Sequence, residues 1–185
     1  NDVQQYEKVL ELTDLISPSL KARVKYFSKD YQLFEFYQIE SQILRAMSRK
    51  VWLKSGGYII IDRTEALTVI DVNTGKFTGR HNLEDTVVRT NVEAAAEIAK
   101  QLRLRDIGGI IIIDFIDMRE SEHQKKVMDV LIQSLKKDRT KTTVVGMTGL
   151  GLIEMTRKKV RRELSTIMSD DCPYCSGTGK APLNR

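Results

Sequence analysis

The sequence predicts an α/β fold, a mixed sheet with strand–helix–strand crossovers, and three observations carry that prediction. Residues 58–61 and 66–70 are short, β-branched-rich runs around a polar turn and read as an antiparallel hairpin. A long stretch with helical apolar spacing, near 83–105, leads into the unbroken apolar run 110–113, the pattern of a strand buried on both faces. A second helical stretch, 120–138, leads into a further strand at 142–147. Strand, helix, strand, helix, strand implies parallel members in the sheet.

In chain order, the first 20 residues carry one short helical pattern around Val9, Leu10 and Leu12, which breaks at Ser17-Pro18. Residues 22–28 alternate, with Val24 and Tyr26 against Arg23 and Lys25, and read as a strand. Ile39, Ile43 and Met47 recur at helical spacing and predict a helix over 35–49; Gly56-Gly57 then punctuates the chain. In the long helix the buried stripe is Val88, Val92, Ala95, Ala99 and Leu102, with Gly108-Gly109 ending it. Val127, Leu131 and Leu135, spaced by four, mark the core side of the next helix. No repeat or low-complexity segment interrupts this order.

A chain of 185 residues, 41% hydrophobic and 30% charged, buries a real core and reads as one main globular domain with attached pieces. No apolar stretch approaches the ~18 residues of a membrane span. Without a signal-peptide pattern the default compartment is the cytoplasm. The chain begins at Asn1 rather than a methionine and is expected to be a fragment, with modules missing upstream. Its net charge of +5 leans toward acidic partners such as nucleic acid. Lys136, Lys137, Arg139 and Lys141 form one basic group, and Arg157, Lys158, Lys159, Arg161 and Arg162 another; a solvated helix face and helix end are the competing reading.

The topology also points to chemistry. A crossover makes its two strands parallel, so their C-terminal ends share one sheet edge, where open α/β sheets place ligands. Asp71 follows the strand ending at Ile70, and Asp114 follows the run ending at Ile113. Asp71 and Asn73 are two apart in extended chain and project the same way. Two carboxylates ~4 Å apart repel by about 4 kcal/mol at an effective dielectric of 20, and such a pair shares a proton or binds a cation. With oxygen donors and no cluster of His or Cys beside them, that cation is Mg²⁺ or Mn²⁺, and Asn73 would orient Asp71. The alternative is that the acids only begin loops or cap helices.

Other motifs fail. Asp71-Val-Asn73-Thr-Gly75 begins like a calcium loop, but its glycine comes one place early and the twelfth position is Asn82. His81 and His123 are the only histidines, too separated for a histidine-based triad and better suited to surface or capping roles. There is neither a G-x-S-x-G turn nor a P-loop. Cys172 and Cys175, in Cys-Pro-Tyr-Cys-Ser-Gly-Thr-Gly, have the spacing of a zinc knuckle but supply two of four ligands, which a second copy would complete; a redox disulfide is the rival.

Several segments resemble the catalytic core of the ribonuclease E/G family: Tyr-Gln-Ile-Glu-Ser-Gln at 37–42, Gly-Gly-Tyr at 56–58 and Thr-Glu-Ala-Leu-Thr-Val-Ile-Asp-Val-Asn at 64–73. Thr-Asn-Val-Glu-Ala-Ala at 90–95, Gln-Leu-Arg-Leu-Arg-Asp-Ile-Gly-Gly at 101–109 and Ile-Asp-Phe-Ile-Asp-Met at 113–118 continue the likeness. Gly-Leu-Ile-Glu-Met-Thr-Arg at 151–157 and Cys-Pro-Tyr-Cys at 172–175 complete it. The resemblance implies a deoxyribonuclease I-like catalytic subdomain over 49–168, part of a ribonuclease-H-like subdomain over 1–48, and a C-terminal zinc-link over 169–185. It implies that Asp71 and Asp114 hold Mg²⁺ with Asn73 orienting Asp71, and that Cys172 and Cys175 share Zn²⁺ between protomers in a homodimer, which in turn could pair into a dimer of dimers. Single-stranded RNA, often A/U-rich, would be cut to 5′-phosphate and 3′-hydroxyl products in ribosomal RNA processing and messenger RNA decay. Lys141 and Arg157 would contact RNA. At Lys141 an arginine is expected, so a point charge replaces a bidentate fork beside the 5′ phosphate. The family's oligonucleotide-binding barrel and most of its 5′-end sensor lie upstream of these residues, so substrate grip and 5′-monophosphate preference are expected to be weak. Rival functions are a phosphatase with Asp71 as nucleophile and an inert, zinc-dimerised RNA-binding fragment.

Overall fold

The computed structural model describes residues 1–75, 83–170, 172–175, 177 and 179. The chain forms two units, Asn1–Arg45 and Ala46–Arg185.

The first unit opens on helix α1 (Val3–Ile16), which is capped by Asp2: its carboxylate accepts the Gln5 N–H at 2.9 Å. Residues 22–28, expected as a strand, form none. Pro18 starts a 3₁₀ helix that runs to Arg23 and consumes the first residues of the alternating segment. The alternation instead serves ring packing: Tyr26 meets Tyr6 at 5.6 Å, and Phe27 meets Phe36 at 5.5 Å. The single helix expected over 35–49 is split into α2 (Leu33–Phe36) and α3 (Ile39–Met47), because Gln38 takes a left-handed conformation (φ 54°) between them.

The second unit is a six-stranded sheet in the order β1-β2-β3-β4-β6-β5. Its strands are β1 (Lys50–Trp52), β2 (Tyr58–Arg63), β3 (Leu67–Asn73), β4 (Gly109–Asp114), β5 (Thr142–Met147) and β6 (Ile153–Arg157). The helices are α4 (Leu83–Leu104), α5 (Ser121–Leu135) and α6 (Leu164–Met168). The expected hairpin is present as the antiparallel pair β2–β3, and Thr64 closes it, its hydroxyl accepting the Leu67 N–H at 3.1 Å. Helix α4 then crosses over to make β3 and β4 parallel. The second crossover, through α5, also returns β5 in the direction of β4, but β6 is inserted between them and pairs antiparallel with both. Strands β1 and β6 and helix α6 carried no clear sequence pattern.

The core lies on one face of the sheet. Ile59, Ile61, Ile70, Val72, Ile111, Ile113, Ile153 and Met155 point toward it and meet Ala95, Ile98 and Leu102 of α4 and Val127, Leu131 and Leu135 of α5. The buried stripes read from helical spacing are those the helices use. Helix α4 ends earlier than Gly108-Gly109: Asp106 takes the left-handed position (φ 54°), and the Ile107 N–H reaches back to the Leu102 carbonyl at 3.0 Å. Strand alternation sends Ile60, Val69, Asp71, Asn73, Ile112, Asp114 and Glu154 to the opposite face.

The end of β3 is clamped by the turn before β2. A Cβ on Gly57 would lie 2.7 Å from the Asn73 carbonyl oxygen and 2.9 Å from Thr90 Cγ2, so the turn fits only without a side chain. Gly57→Ala is expected to lower unfolding free energy by about 1–3 kcal/mol, the cost of overpacking a tight site, measured by urea unfolding. An unchanged midpoint would mean that this clamp yields freely.

Candidate functional site

The parallel ladder between β3 and β4 runs in register from Leu67↔Ile110 to Asp71↔Asp114, so the two aspartates are direct neighbours across adjacent strands ~4.8 Å apart. Both project from the face opposite the helices, because Ile70, Val72 and Ile113 on either side of them are buried. Asn73, on the same face, donates its amide Nδ2–H to Asp71 Oδ2 at 2.7 Å. The strands run one to three residues further than the sequence suggested, so Asp71 lies inside β3 rather than after it. Partial burial, then the charge of Asp71, then that of Asp117, raises the Asp114 pKa above its ordinary value. Asp117 therefore adds a third negative charge to the site. This donor set fits a hard divalent cation: carboxylate oxygens from rigid strands, with one oxygen of Asp71 held by an amide.

One contributor escaped the sequence reading. Asn91, fully buried on α4, donates Nδ2–H to the Ile116 carbonyl at 2.7 Å and accepts the Ile116 N–H at 3.1 Å. It thereby pins the segment between Asp114 and Asp117 from the core side. The available signal was a polar amide amid the buried stripe of α4. Gln124 adds to this by donating to the Met118 carbonyl at 3.0 Å. On the other side, Glu93 accepts the Lys54 N–H at 2.6 Å and the Ser55 N–H at 3.0 Å, fixing the turn that leads into β2. Burial pushes the Glu93 carboxyl up, but these bonds outweigh it and its pKa falls below the ordinary value.

The basic residues sit elsewhere. Thr142 and Arg157 align with Gly109, the start of β4, so Lys141 and Arg157 lie at the sheet edge opposite the aspartates. Lys141 is exposed. The RNA contact expected at Arg157 is corrected, because its side chain is 2% exposed and faces the core. Its guanidinium donates to Asp138 Oδ2 at 2.8 Å, to Asp106 Oδ1 and the Ile107 carbonyl at 2.9 Å each, and to Thr140 Oγ1 at 3.3 Å. Arg157 thus ties β6 to the end of α4 and to the segment after α5.

His123, assigned a surface or capping role, is partly exposed and lies between two carboxylates, with Nδ1 3.3 Å from Glu84 Oε1 and Nε2 3.5 Å from Glu120 Oε2. Their ligand atoms lie within 4.8 Å of one another, a spacing that could hold a metal ion. His81 and Asn82 are outside the described residues. Cys172 and Cys175 carry free thiols, and the Gly179 N–H donates to Cys175 Sγ at 3.3 Å, a bond that suits a thiolate ligand. Residues 171, 176, 178 and 180–185 of the expected zinc-link are outside the described set. Among the described residues no helix is long and apolar enough to cross a membrane.

Fold and site together define an α/β chain with aspartates paired across two parallel strands and suited to a divalent cation. A profile of the Ribonuclease E/G family matches residues 1–160, and the chain belongs to that family. It is 49% identical over 174 residues to Ribonuclease G of Escherichia coli strain K12, covering 94% of this chain and 36% of that protein. Ribonuclease G of Haemophilus influenzae is 49% identical over 175 residues, covering 95% of this chain and 36% of the relative. Ribonuclease E of Escherichia coli strain K12 is 45% identical over 177 residues, covering 93% of this chain and 17% of the relative. The chain therefore spans little more than a third of the Ribonuclease G relatives.

The Arg157 knot makes a prediction about acid. Burial pushes the Asp138 carboxyl up, but the hydrogen bonds from Arg157 and the Thr140 N–H outweigh it and leave its pKa below the ordinary value. A lowered carboxyl pKa adds stability above the unfolded value of about 4, and that stability is lost as pH falls through the folded value. Asp138→Asn leaves Arg157 buried with one charge partner fewer and is expected to cost about 3–5 kcal/mol near neutrality. In urea unfolding the gap between wild type and variant should narrow as pH falls below the unfolded value of about 4 and through the folded value beneath it. A gap independent of pH would show that the pair's charge is not what stabilises β6.

Proposed function

We propose that this chain is the catalytic core of a metal-dependent endoribonuclease that hydrolyses phosphodiester bonds in single-stranded RNA to 5′-phosphate and 3′-hydroxyl products. Ribosomal RNA processing and messenger RNA decay are the corresponding roles. The observation that carries the reading is the register pairing of Asp71 with Asp114 on the face away from the helices. Residues 49–168 are assigned as the deoxyribonuclease I-like catalytic subdomain, 1–48 as part of a ribonuclease-H-like subdomain and 169–185 as the zinc-link.

Asp71 and Asp114 would hold Mg²⁺, or Mn²⁺, between adjacent strands. A bound Mg²⁺ supplies a water of lowered pKa and neutralises charge building on the phosphate. The chain's own part is positioning. Asn73 occupies one oxygen of Asp71 and fixes the direction of the other. Asn91 holds the backbone after Asp114 against α4, so that carboxylate stays at the strand end. Lys136, Lys137, Arg139 and Lys141, with Lys158, Lys159, Arg161 and Arg162, are exposed and offer sequence-independent phosphate contacts.

In the full-length protein carrying this chain, Asp71→Asn and Asp114→Asn should each lower the cleavage rate by about 10²–10⁴, about 3–5 kcal/mol of transition-state stabilisation. The double variant should lose little more, because the pair acts through one cation. Binding of RNA should hardly change, since it rests on Lys and Arg. A labelled, 5′-monophosphorylated single-stranded RNA assayed with and without Mg²⁺ reads all of this. Wild-type cleavage by either single variant at low Mg²⁺ would end the proposal, and RNA binding with no cleavage by the parent would favour an inert scaffold.

Cys172 and Cys175 would share Zn²⁺ with the same pair of a second copy, giving a homodimer and the basis of a dimer of dimers. Two thiolates fill half of a tetrahedral site. Metal analysis is expected to find about one zinc per two chains, and Cys172→Ser to release monomer in light scattering. A full zinc per monomer would exclude sharing.

A further inference from the structure

The site face carries a second feature that metal chemistry leaves unused. Strand β1 pairs with β2 so that Lys50 lies beside Ile60 and Trp52 beside Tyr58. Tyr58 in turn is the register partner of Asn73, and Ile60 of Asp71. Cross-strand partners share a face, so Trp52, Tyr58 and Asn73 form one row, and Lys50, Ile60, Asp71 and Asp114 form the next. Both rows lie on the face away from α4 and α5.

Trp52 and Tyr58 meet edge to face, with ring centroids 5.4 Å apart. The Lys50 ammonium stands over both rings, 3.9 Å from the Trp52 centroid and 3.5 Å from that of Tyr58. Yet Trp52 is 64% exposed. A cross-strand aromatic pair stabilises a short edge strand by up to about 1 kcal/mol, but that role does not call for an indole held mostly in water. The cation braces the rings from one side and leaves the rest of the indole surface open.

We propose that Trp52 and Tyr58, braced by Lys50, form a stacking subsite for a nucleobase of the same single-stranded RNA whose phosphodiester is presented to Asp71 and Asp114. The inference rests on the nuclease reading for the identity of the strand. Two observations favour RNA over a protein segment. The platform is continuous with the acidic pair on one sheet face: two strand spacings and two residues of rise put Trp52 ~12 Å from Asp71, a short reach along an extended strand. The chemistry is also that of sequence-tolerant single-strand binding, an aromatic face for the base and an ammonium for the neighbouring phosphate. The subsite would read the presence of a base rather than its identity, and it would offset the repulsion between the RNA backbone and the three carboxylates nearby.

Trp52 is the only tryptophan of the chain, so its emission reports on this place alone. Titrating the chain in metal-free buffer with a short single-stranded oligoribonucleotide should quench that emission saturably. A series of oligonucleotides with one abasic nucleotide moved stepwise along the strand should show one or two positions at which quenching is lost and the apparent Kd rises about tenfold, the scale of one stacked base. That series uses unaltered protein, so misfolding of a variant cannot imitate the result. Tyr58→Ala should weaken binding similarly, while Trp52→Phe, which keeps a ring, should retain most of the affinity of the parent and Trp52→Ala should not. RNA binding without quenching, quenching indifferent to every abasic position, or no quenching up to the solubility limit of the oligonucleotide each overturns the subsite. The nuclease reading is tested separately: Asp71→Asn should leave the quench intact while slowing cleavage by about 10²–10⁴, and a quench without any Mg²⁺-dependent cleavage by the full-length parent would retain the platform and reject the catalytic assignment.

Discussion

The constraint on which the site depends is the crossover through α4. Helix α4 carries the chain back across one face of the sheet to the end at which β3 began, and β4 lies parallel to β3. Parallel pairing matches residues that advance together, so two carboxylates at corresponding depths in their strands become neighbours without any loop to position them. Alternation then turns both away from the apolar layer: Ile70 and Val72 bury toward the helices while Asp71 between them cannot. A slip of one residue in this ladder would send the acids into the core and the isoleucines out, so the hydrophobic pattern that stabilises the sheet also fixes the site.

Holding two like charges side by side works against stability, and the surrounding structure shows how it is tolerated. The Asn73 amide turns one oxygen of Asp71 into an acceptor of a defined bond. Asn91 places a fully buried amide within an apolar helix stripe, where an unpaired polar group would be costly, and pairs both its nitrogen and its oxygen with the backbone of Ile116. The same amide prevents the segment after Asp114 from relaxing away from Asp71. Burial first, and then the charges of Asp71 and Asp117, raise the Asp114 pKa above its ordinary value, so the repulsion is part of what that carboxylate bears.

What the sequence disclosed follows the same physics. The β2–β3 hairpin, the helix stripes Val88–Leu102 and Val127–Leu135, and the edge shared by Asp71 and Asp114 were all legible because each is set by local periodicity plus a handed connection. Strand β6 was not: it is only five residues long, with Glu154 and Thr156 outward, and so short an alternation carried no strand expectation until two neighbours are supplied. The burial of Arg157 was illegible for a related reason. Its place in the basic run 157–162 suggested solvent, whereas its partners Asp106 and Asp138 are far away in sequence and come together only when β6 is inserted. In the first unit, alternation at 22–28 mimicked a strand because aromatic packing can impose a similar spacing without a ladder.

The separation of charge across the sheet bears on what kind of molecule suits this surface. The basic residues at 136–141 and 158–162 adjoin the ends of β5 and β6 that align with the start of β4, while the aspartates stand at its finish. Five steps of strand rise separate the two edges, ~17 Å. A compact phosphoester could reach one edge or the other but not both, which weighs against small phosphomonoesters and the phosphatase alternative. A polyanion lying along the strands would meet cations at one end and carboxylates at the other, with attraction and repulsion balanced only if a cation fills the acidic end. Screening limits each charge group to roughly a Debye length of ~8 Å at physiological salt, so the two ends act nearly independently; in the proposed function the basic end would set grip and its salt dependence, and the acidic end chemistry and its metal dependence.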